Sequence, residues 1–361
     1  MRQARLARGL VALSLVAGGV AATTPSAEAH AVTGVKATDY KSEIVGISPR
    51  AGQLDVHLLD LGRRIELVNR GPVDVVVLGY AGEQWLRVGP RGTFENVYST
   101  SAYVERQRPG QATGAPPDPA KASGPPRWRG TGDGNTLVWR DRRTRFDGPT
   151  PDQVLRAPGQ IHPVVPRWTL ELRRGRAAIA VAGRITYVPP PDALPWALVA
   201  VALFVATILT VRLAPWPWVL GHALALLVAV DIVHSFGNAA VSGGSLATQA
   251  GNVLSGGPIG VIAWVLGVGA LLTLGRRSEI GIILGGSAAL MIAVYGGVTD
   301  AAALTSSQVP SALPPFLLRS AVVLSLGLGF GIAGALGYEG MRGPTVAAHG
   351  PRPRPATTVR G

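Results

Sequence analysis

Four ionisable residues stand inside or at the ends of long apolar runs in the C-terminal half of the chain: Asp231, His234, Asp300 and Arg319. A charged group at the centre of a bilayer costs about 2.5–3.5 kcal/mol on insertion scales, so each needs a partner or a purpose. Asp231 and His234 are three residues apart in sequence. On a helix that is one turn, which places both on one face about 4.5 Å apart along the axis. The topology argued below brings Asp300 and Arg319 to the same depth, in the outer third of the membrane, and leaves the inner halves of the spans without charge. Two uses stay open. The four residues could brace the helices, with Arg319 paired to Asp300 and His234 to Asp231, or they could form a small polar site for a proton, a metal ion or a lipid head group. His222, nine residues before Asp231, falls on the opposite face and is set apart from this group.

A second concentration of charge is Arg140-Asp141-Arg142-Arg143-Thr144-Arg145, with four guanidiniums in six residues. Paired guanidinium donors hold carboxylates or phosphates, and Asp141 could orient one of them, so an anion site is one reading. The plainer one is a solvated edge strand or turn braced by an Arg–Asp pair. Trp85, Trp128, Trp139 and Trp168 divide likewise between a stacking surface and the core packing of a β domain. A third candidate is His30. As the first residue of a mature chain it would offer an α-amino group and an imidazole together, which suits Cu(II), with His57 or His162 as a second imidazole.

Several chemistries are missing. The chain has six histidines and no cysteine, so it carries no disulfide, thiolate metal site or thiol nucleophile. It contains no Gly-x-Ser-x-Gly elbow, no His-Glu-x-x-His, no P-loop and no dinucleotide fingerprint after a strand. A polymer-modifying enzyme built on Asp141 would lack a recognisable acid–base partner.

The elements that would carry these residues follow from hydropathy. Apolar runs of about 18–22 residues, each enough for a ~30 Å hydrocarbon core, fall at Leu194–Leu213, Trp216–Phe236, Gly257–Leu274, Ile280–Thr299 and Phe316–Tyr338. Arg212, Arg276, Arg277, Arg342, Arg352, Arg354 and Arg360 flank one set of ends, whereas loops 237–256 and 300–315 hold no Lys or Arg. The positive-inside rule predicts those loops outside and the C-terminus in the cytoplasm. Arg2, Arg5 and Arg8 precede an apolar run from Gly9 to Ala22, then Pro25 and small residues, the layout of a signal peptide ending at Ala29. Cleavage after Ala31 fits almost as well and would remove His30. Both signals give one topology for a multi-pass cell-membrane protein: residues 30–192 exported, 193–338 a five-span bundle, and 339–361 a Pro- and Arg-rich cytoplasmic tail with the composition of disorder.

Within the exported segment the apolar period is two. Ser42–Ser48, Leu54–Leu59, Arg64–Asn69, Val73–Tyr80, Trp85–Val88, Thr136–Trp139, Arg167–Leu172 and Ala177–Val188 are short, rich in β-branched residues and bounded by turn formers. This spacing predicts an all-β sandwich, immunoglobulin-like, with Gly175 turning a hairpin between Leu172 and Ala177. Residues 109–134 are dominated by Pro, Gly, Ala and charge and predict a long mobile loop. Pro189-Pro190-Pro191 stiffens the joint to the first span and keeps the domain near the membrane. The exported segment carries 23 Lys and Arg against 16 Asp and Glu. Such a basic domain is drawn to an anionic leaflet or envelope polymer, and nucleic acid is no expected partner outside the membrane.

Residues 79–92, Ser101-Ala102-Tyr103, Trp139 to Arg143, Ile185 to Pro191 and Leu304 to Pro310 resemble a family of actinobacterial integral membrane proteins of unknown function. The resemblance covers most of the mature chain and implies the same order of signal peptide, exported β domain and five-helix membrane domain. Members show His-Asp-His-Arg after the Trp that matches Trp139. This chain has Arg140-Asp141-Arg142-Arg143, so Asp141 and Arg143 alone carry over.

The expected function is that of a non-enzymatic envelope protein, an accessory or binding subunit whose β domain docks on its own helices. It needs no cofactor, and its partners are the bilayer, an anionic lipid or polymer, and other membrane proteins. The alternative is a copper-like metal-handling or transport protein working through the polar site at the outer membrane level. A reporter active only in the cytoplasm should work when fused after Gly361 and stay silent when inserted near Ser245; activity at Ser245 would sink the topology.

Overall fold

The computed structural model describes residues 35–106, 124–213, 215–241 and 245–342. The expected signal peptide, His30, residues 107–123 of the Pro-rich region and the tail from 343 lie outside the described residues.

Alternating segments become ten strands: β1 (Tyr40–Ser48), β2 (Leu54–Leu59), β3 (Arg64–Asn69), β4 (Val75–Leu78), β5 (Gln84–Gly89), β6 (Gly92–Asn96), β7 (Trp128–Gly132), β8 (Thr136–Arg140), β9 (His162–Arg174) and β10 (Ala177–Tyr187). They form two antiparallel sheets, ordered β1-β10-β9-β4-β5-β6-β7 and β2-β3-β8. Period-two burial aims Ile65, Leu67, Leu137 and Trp139 of the small sheet and Val75, Val77, Trp85, Val88, Leu170, Leu172 and Val181 of the large one into a single core. Fully burying an aliphatic side chain of this size contributes about 1.5–3 kcal/mol, so this layer is the main support of the domain. Asn69 adds a polar staple between the sheets. Buried at the end of β3, it donates to the carbonyls of Val73 (2.9 Å) and Val88 (3.0 Å) and accepts from Gly71 N (3.0 Å).

The β9–β10 hairpin turns where expected. Arg174 pairs with Ala177, leaving a two-residue loop whose first position, Gly175, has φ +60°, a left-handed value that glycine adopts freely. Two strands and two short helices were not expected: β6, β7, α1 (Thr100–Arg106) and α2 (Asp152–Arg156). β7 corrects the end of the predicted mobile loop. It is an edge strand paired on one side, with mostly exposed side chains, so no apolar alternation marks it. Trp128 anchors it, with the Arg87 guanidinium held between the rings of Phe94 (4.1 Å) and Trp128 (4.8 Å).

The second half is helical: α3 (Leu194–Leu209), α4 (Trp216–Ala240), α5 (Leu246–Gly256), α6 (Pro258–Leu274), α7 (Glu279–Ile292) and α8 (Pro315–Arg342). A 3-10 turn extends α3 to Arg212, and a π-helical stretch, Ala293–Val298, continues α7. Four helices are long and apolar enough to cross a membrane, and α5 with α6, bent by 92° at Gly257, makes a fifth when counted as one span. The spans match the apolar runs to within a few residues. The addition is α5, in a stretch expected to be loop. Ser245 caps its N-terminus by accepting from Thr248 N, and Val253 buries while Leu246 and Leu254 stay exposed.

Helix packing uses small residues. A Cβ on Gly327 would meet the Ala200 carbonyl at 2.7 Å, and one on Gly331 would meet Thr207 Cβ at 2.7 Å. These two glycines, four apart on one face of α8, let α3 approach its backbone closely. Lipid-like surroundings give no hydrophobic drive between helices, so this fit is what seats α3. Replacing Gly331 with Leu should therefore detach α3 while leaving the β sheets intact, seen as new protease cutting near residues 210–216 at unchanged β-sheet circular dichroism.

The two halves touch at one defined place. Thr38, just before β1, forms an antiparallel bridge with Gln308 in the loop before α8, with N–H to carbonyl bonds in both directions of 3.0 and 2.9 Å. Asp39 extends the contact: its carboxylate accepts from Ser307 N at 2.8 Å and its carbonyl from Val188 N at 2.8 Å.

Candidate functional site

The helical domain gathers its polar residues at the end nearest the β domain. Asp231 and His234 lie on the buried face of α4, 4% and 2% exposed. Counting back from Ala240 at about 1.5 Å per residue, His234 is about 9 Å and Asp231 about 14 Å below the helix end. Asp300 follows the π-helical stretch and leads a 3-10 turn, Ala301–Leu304. Its Oδ2 takes the His234 Nε2 at 2.5 Å and the Asn238 amide at 3.2 Å. Asp231 is held from another helix: the Trp264 indole on α6 donates to its Oδ2 at 2.7 Å. Its other oxygen faces Gly296, where a Cβ would collide with it, and Ser325 Oγ on α8 lies 3.5 Å from that same Cβ position. The π-helical stretch thus presents a glycine where the carboxylate needs space, as such bulges often do at functional sites.

The expected partners are corrected on two points. No ion pair joins Arg319 to Asp300 among the described residues; the guanidinium donates instead to the carbonyls of Ala303 (3.0 Å) and Ser306 (3.3 Å). It caps the turn that carries the docking residues Ser307 and Gln308. His234 bonds Asp300 in place of Asp231. The physical reason is reach: Arg319 is only one turn into α8, where the free carbonyls of an irregular loop are closer than a carboxylate on the far side of that loop. Of the four expected residues, His234 and Asp300 are bonded to each other, Asp231 lies one turn from His234 on α4 and is bonded to Trp264, and Arg319 is bonded to loop carbonyls. Sequence reading missed Trp264, Asn238 and Ser325, whose types do not advertise themselves in apolar helices. His234 Nδ1 and Ser325 Oγ are buried without a hydrogen-bond partner. No set of three or more His, Asp or Glu arranged to hold a metal ion occurs among the described residues.

The arginine run of the β domain is engaged internally. Asp141, fully buried, accepts from Trp139 Nε1 (3.2 Å), Arg143 N (3.0 Å), Arg143 Nε (2.9 Å) and a terminal nitrogen of Arg143 (2.7 Å). Arg143 also donates to the Leu78 carbonyl at 3.3 Å and lies over the Tyr80 ring. Arg142 meets Glu105 at 3.3 Å and the Val104 carbonyl at 3.2 Å, and Arg145 meets Asp147 at 2.5 Å. Arg140 is exposed, with no hydrogen bond or ion pair among the described residues. Of the proposed anion-holding set, Arg140 alone has no side-chain partner among the described residues, and Arg142 is exposed as well. His57 is exposed on β2, and His162 bonds the Ala157 carbonyl, so the described residues bring neither imidazole to a second ligand.

The centre of this network is a residue the sequence did not single out, Glu83. Its Oε1 accepts from Ser99 Oγ (2.7 Å), Thr100 Oγ1 (3.1 Å) and Ser101 N (2.9 Å), and its Oε2 from Ala81 N (3.1 Å). The carboxylate caps the first turn of α1 and ties it to the β4–β5 connection. Tyr80 joins this knot to the arginine run, donating to Glu105 (2.7 Å) and accepting from Arg142 N (2.9 Å). The signal available was the quoted Gly79–Gly92 stretch, which contains both Tyr80 and Glu83. Comparison of the chain with models of known families, with curated proteins and with solved structures gives no match.

Burial alone would raise the Glu83 carboxyl, but hydrogen bonds from Ser101 and Ser99 outweigh it and hold the group at about 2, against an ordinary 4.5. The folded value is depressed, so the stabilisation is complete above pH 4.5 and is lost as pH falls from there toward 2. At most it amounts to about 3 kcal/mol. Unfolding of the intact detergent-solubilised chain, followed by tryptophan fluorescence, should weaken across that window; Glu83→Gln should start less stable at neutral pH and vary less with pH.

Proposed function

We propose that this chain is a non-enzymatic membrane protein of the cell envelope, an accessory or binding subunit whose exported β domain is fixed on the outer ends of its own helices. The observation that carries the reading is the docking contact, where Thr38 and Asp39 hold Gln308 and Ser307 by three hydrogen bonds. Together with the Pro189-Pro190-Pro191 joint, it attaches the domain at two points instead of leaving it on a tether. The arginine asymmetry of the loops and the basic N-terminal apolar segment support the side assignment, with the C-terminus in the cytoplasm. The polar knots of the β domain are saturated by their own partners, which suits a rigid scaffold better than a reacting centre. We read the sandwich as an immunoglobulin-like binding module beside an anionic leaflet or polymer, and the resemblance to the actinobacterial membrane family rests on the residues quoted above.

A transport or ion-handling role is the second reading. One observation favours it: a buried imidazole bonded to a carboxylate inside the helical domain, with its second nitrogen unpartnered.

The absence of cysteine makes the docking contact directly testable. Doubly bonded antiparallel partners have Cα atoms about 5.5 Å apart, inside the range a disulfide spans. Thr38→Cys with Gln308→Cys should therefore oxidise to an intramolecular link, read by mass spectrometry of the joined peptides. In cells lacking the native chain, the locked form should restore function as well as the reduced form. Complementation by the reduced form alone would favour a moving transport cycle over a fixed subunit.

A further inference from the structure

We infer that Asp231, His234 and Asp300 form a proton-binding ladder that opens toward the β-domain end of the bundle and ends blind at Asp231. Charge balance is the first argument. The ladder holds two carboxyls and one imidazole, and it is electroneutral only when it carries two exchangeable protons in addition to the neutral ring's own N–H. The neighbouring elements bring no cation to replace them. Helices α3, α5 and α6 contain no Asp, Glu, Lys, Arg or His. The π-helical stretch adds Tyr295, and α8 adds Arg319, whose guanidinium is bonded to the carbonyls of Ala303 and Ser306. Glu279, Glu339 and Arg342 lie at the opposite ends of α7 and α8, and Asp39 of the β domain is bonded to Ser307 N. Sites of this kind in hydrocarbon reach neutrality by holding protons.

Geometry supplies the second argument. Asp300 is the outermost member, with its side chain 31% exposed, and it is bonded to His234 Nε2 at 2.5 Å. His234 is buried, and its Nδ1 has no partner. An imidazole that accepts a proton at Nε2 can release one from Nδ1, so the ring passes a proton inward with no net change in its charge. One turn deeper, Asp231 uses Oδ2 for the Trp264 indole and turns its other oxygen to the space beside Gly296 and Ser325. Ser325 is 0% exposed and its hydroxyl is unpartnered, so an acceptor waits where a proton on Asp231 would be donated, directly or through one water. Beyond Asp231 no titratable group continues the path: on α4 the remaining one is His222, exposed and bonded to the Trp218 carbonyl. The ladder therefore loads and unloads from one side and does not conduct.

The test uses the full chain in detergent and in proteoliposomes. Infrared difference spectra between acid and alkaline pH should show a protonated-carboxyl stretch that Asp231→Asn removes and Ser325→Ala, which leaves all three titratable groups in place, shifts in frequency. Proteoliposomes under a pH gradient should leak protons no faster than empty vesicles. A band unchanged in both variants, each shown to be folded by the cooperative melting of its β domain, would overturn the proposal. So would proton flux abolished by Asp231→Asn, which would make the ladder a through path, or displacement of the band by sodium or potassium at fixed pH, which would make it a cation site.

Discussion

A polar group taken out of water must find a partner, and that constraint governs both halves of this protein. In the β domain two buried carboxylates meet it fully, while the buried indoles of Trp85 and Trp168 go without a partner. Asp141 accepts four hydrogen bonds from its near neighbours Trp139 and Arg143, and Glu83 draws three of its four from Ser99, Thr100 and Ser101, a segment 16–18 residues away. Such a group fixes the relative positions of everything that donates to it, because removing one donor leaves a buried charge under-compensated. In the helical domain the same constraint is met sparingly. Asp231 receives one indole, His234 uses one of its two nitrogens, and Ser325 uses none of its capacity. Around Asp231, that unused capacity sits beside titratable groups, where a proton can be taken up or released.

The docking contact links these two regimes. Asp300 leads the 3-10 turn that Arg319 holds by its carbonyls, and that turn delivers Ser307 and Gln308 to the β domain. Few residues separate the ladder from the bridge. Asp300 thus stands between two neighbours, α4 through His234 and Asn238, and the turn that leads to the segment on which the β domain rests.

Much of this architecture was legible in the sequence because it is written in periodicity. The five apolar runs and eight of the ten strands follow from hydropathy with period and length alone, since burial of apolar area decides them. What escaped was decided by other forces. β7 pairs through its backbone at a sheet edge, so its side chains carry no pattern. α5 is eleven residues of mixed polarity that packs a single buried valine, Val253. The choice of His234 by Asp300, and of loop carbonyls by Arg319, depends on distances of a few ångströms that spacing along the chain does not encode. Glu83 looked like any surface acid between Gly82 and Gln84. Only the fold brings Ser99, Thr100 and Ser101 around it.

The bridge between Thr38 and Gln308 also sets an order of events during synthesis. Its two sides are about 270 residues apart, so the first residues described meet a loop made near the end of the chain's described part. At synthesis rates on the order of 5–20 residues per second, the roughly 120 residues between β10 and Gln308 give the β sheets on the order of 10 seconds to form before their resting place exists. During that interval the N–H and carbonyl of Thr38, beside the edge strand β1, stay without their partner. Docking of the two halves can therefore only follow the synthesis of all ten strands, and a chain cut short of residue 308 lacks one side of the bridge.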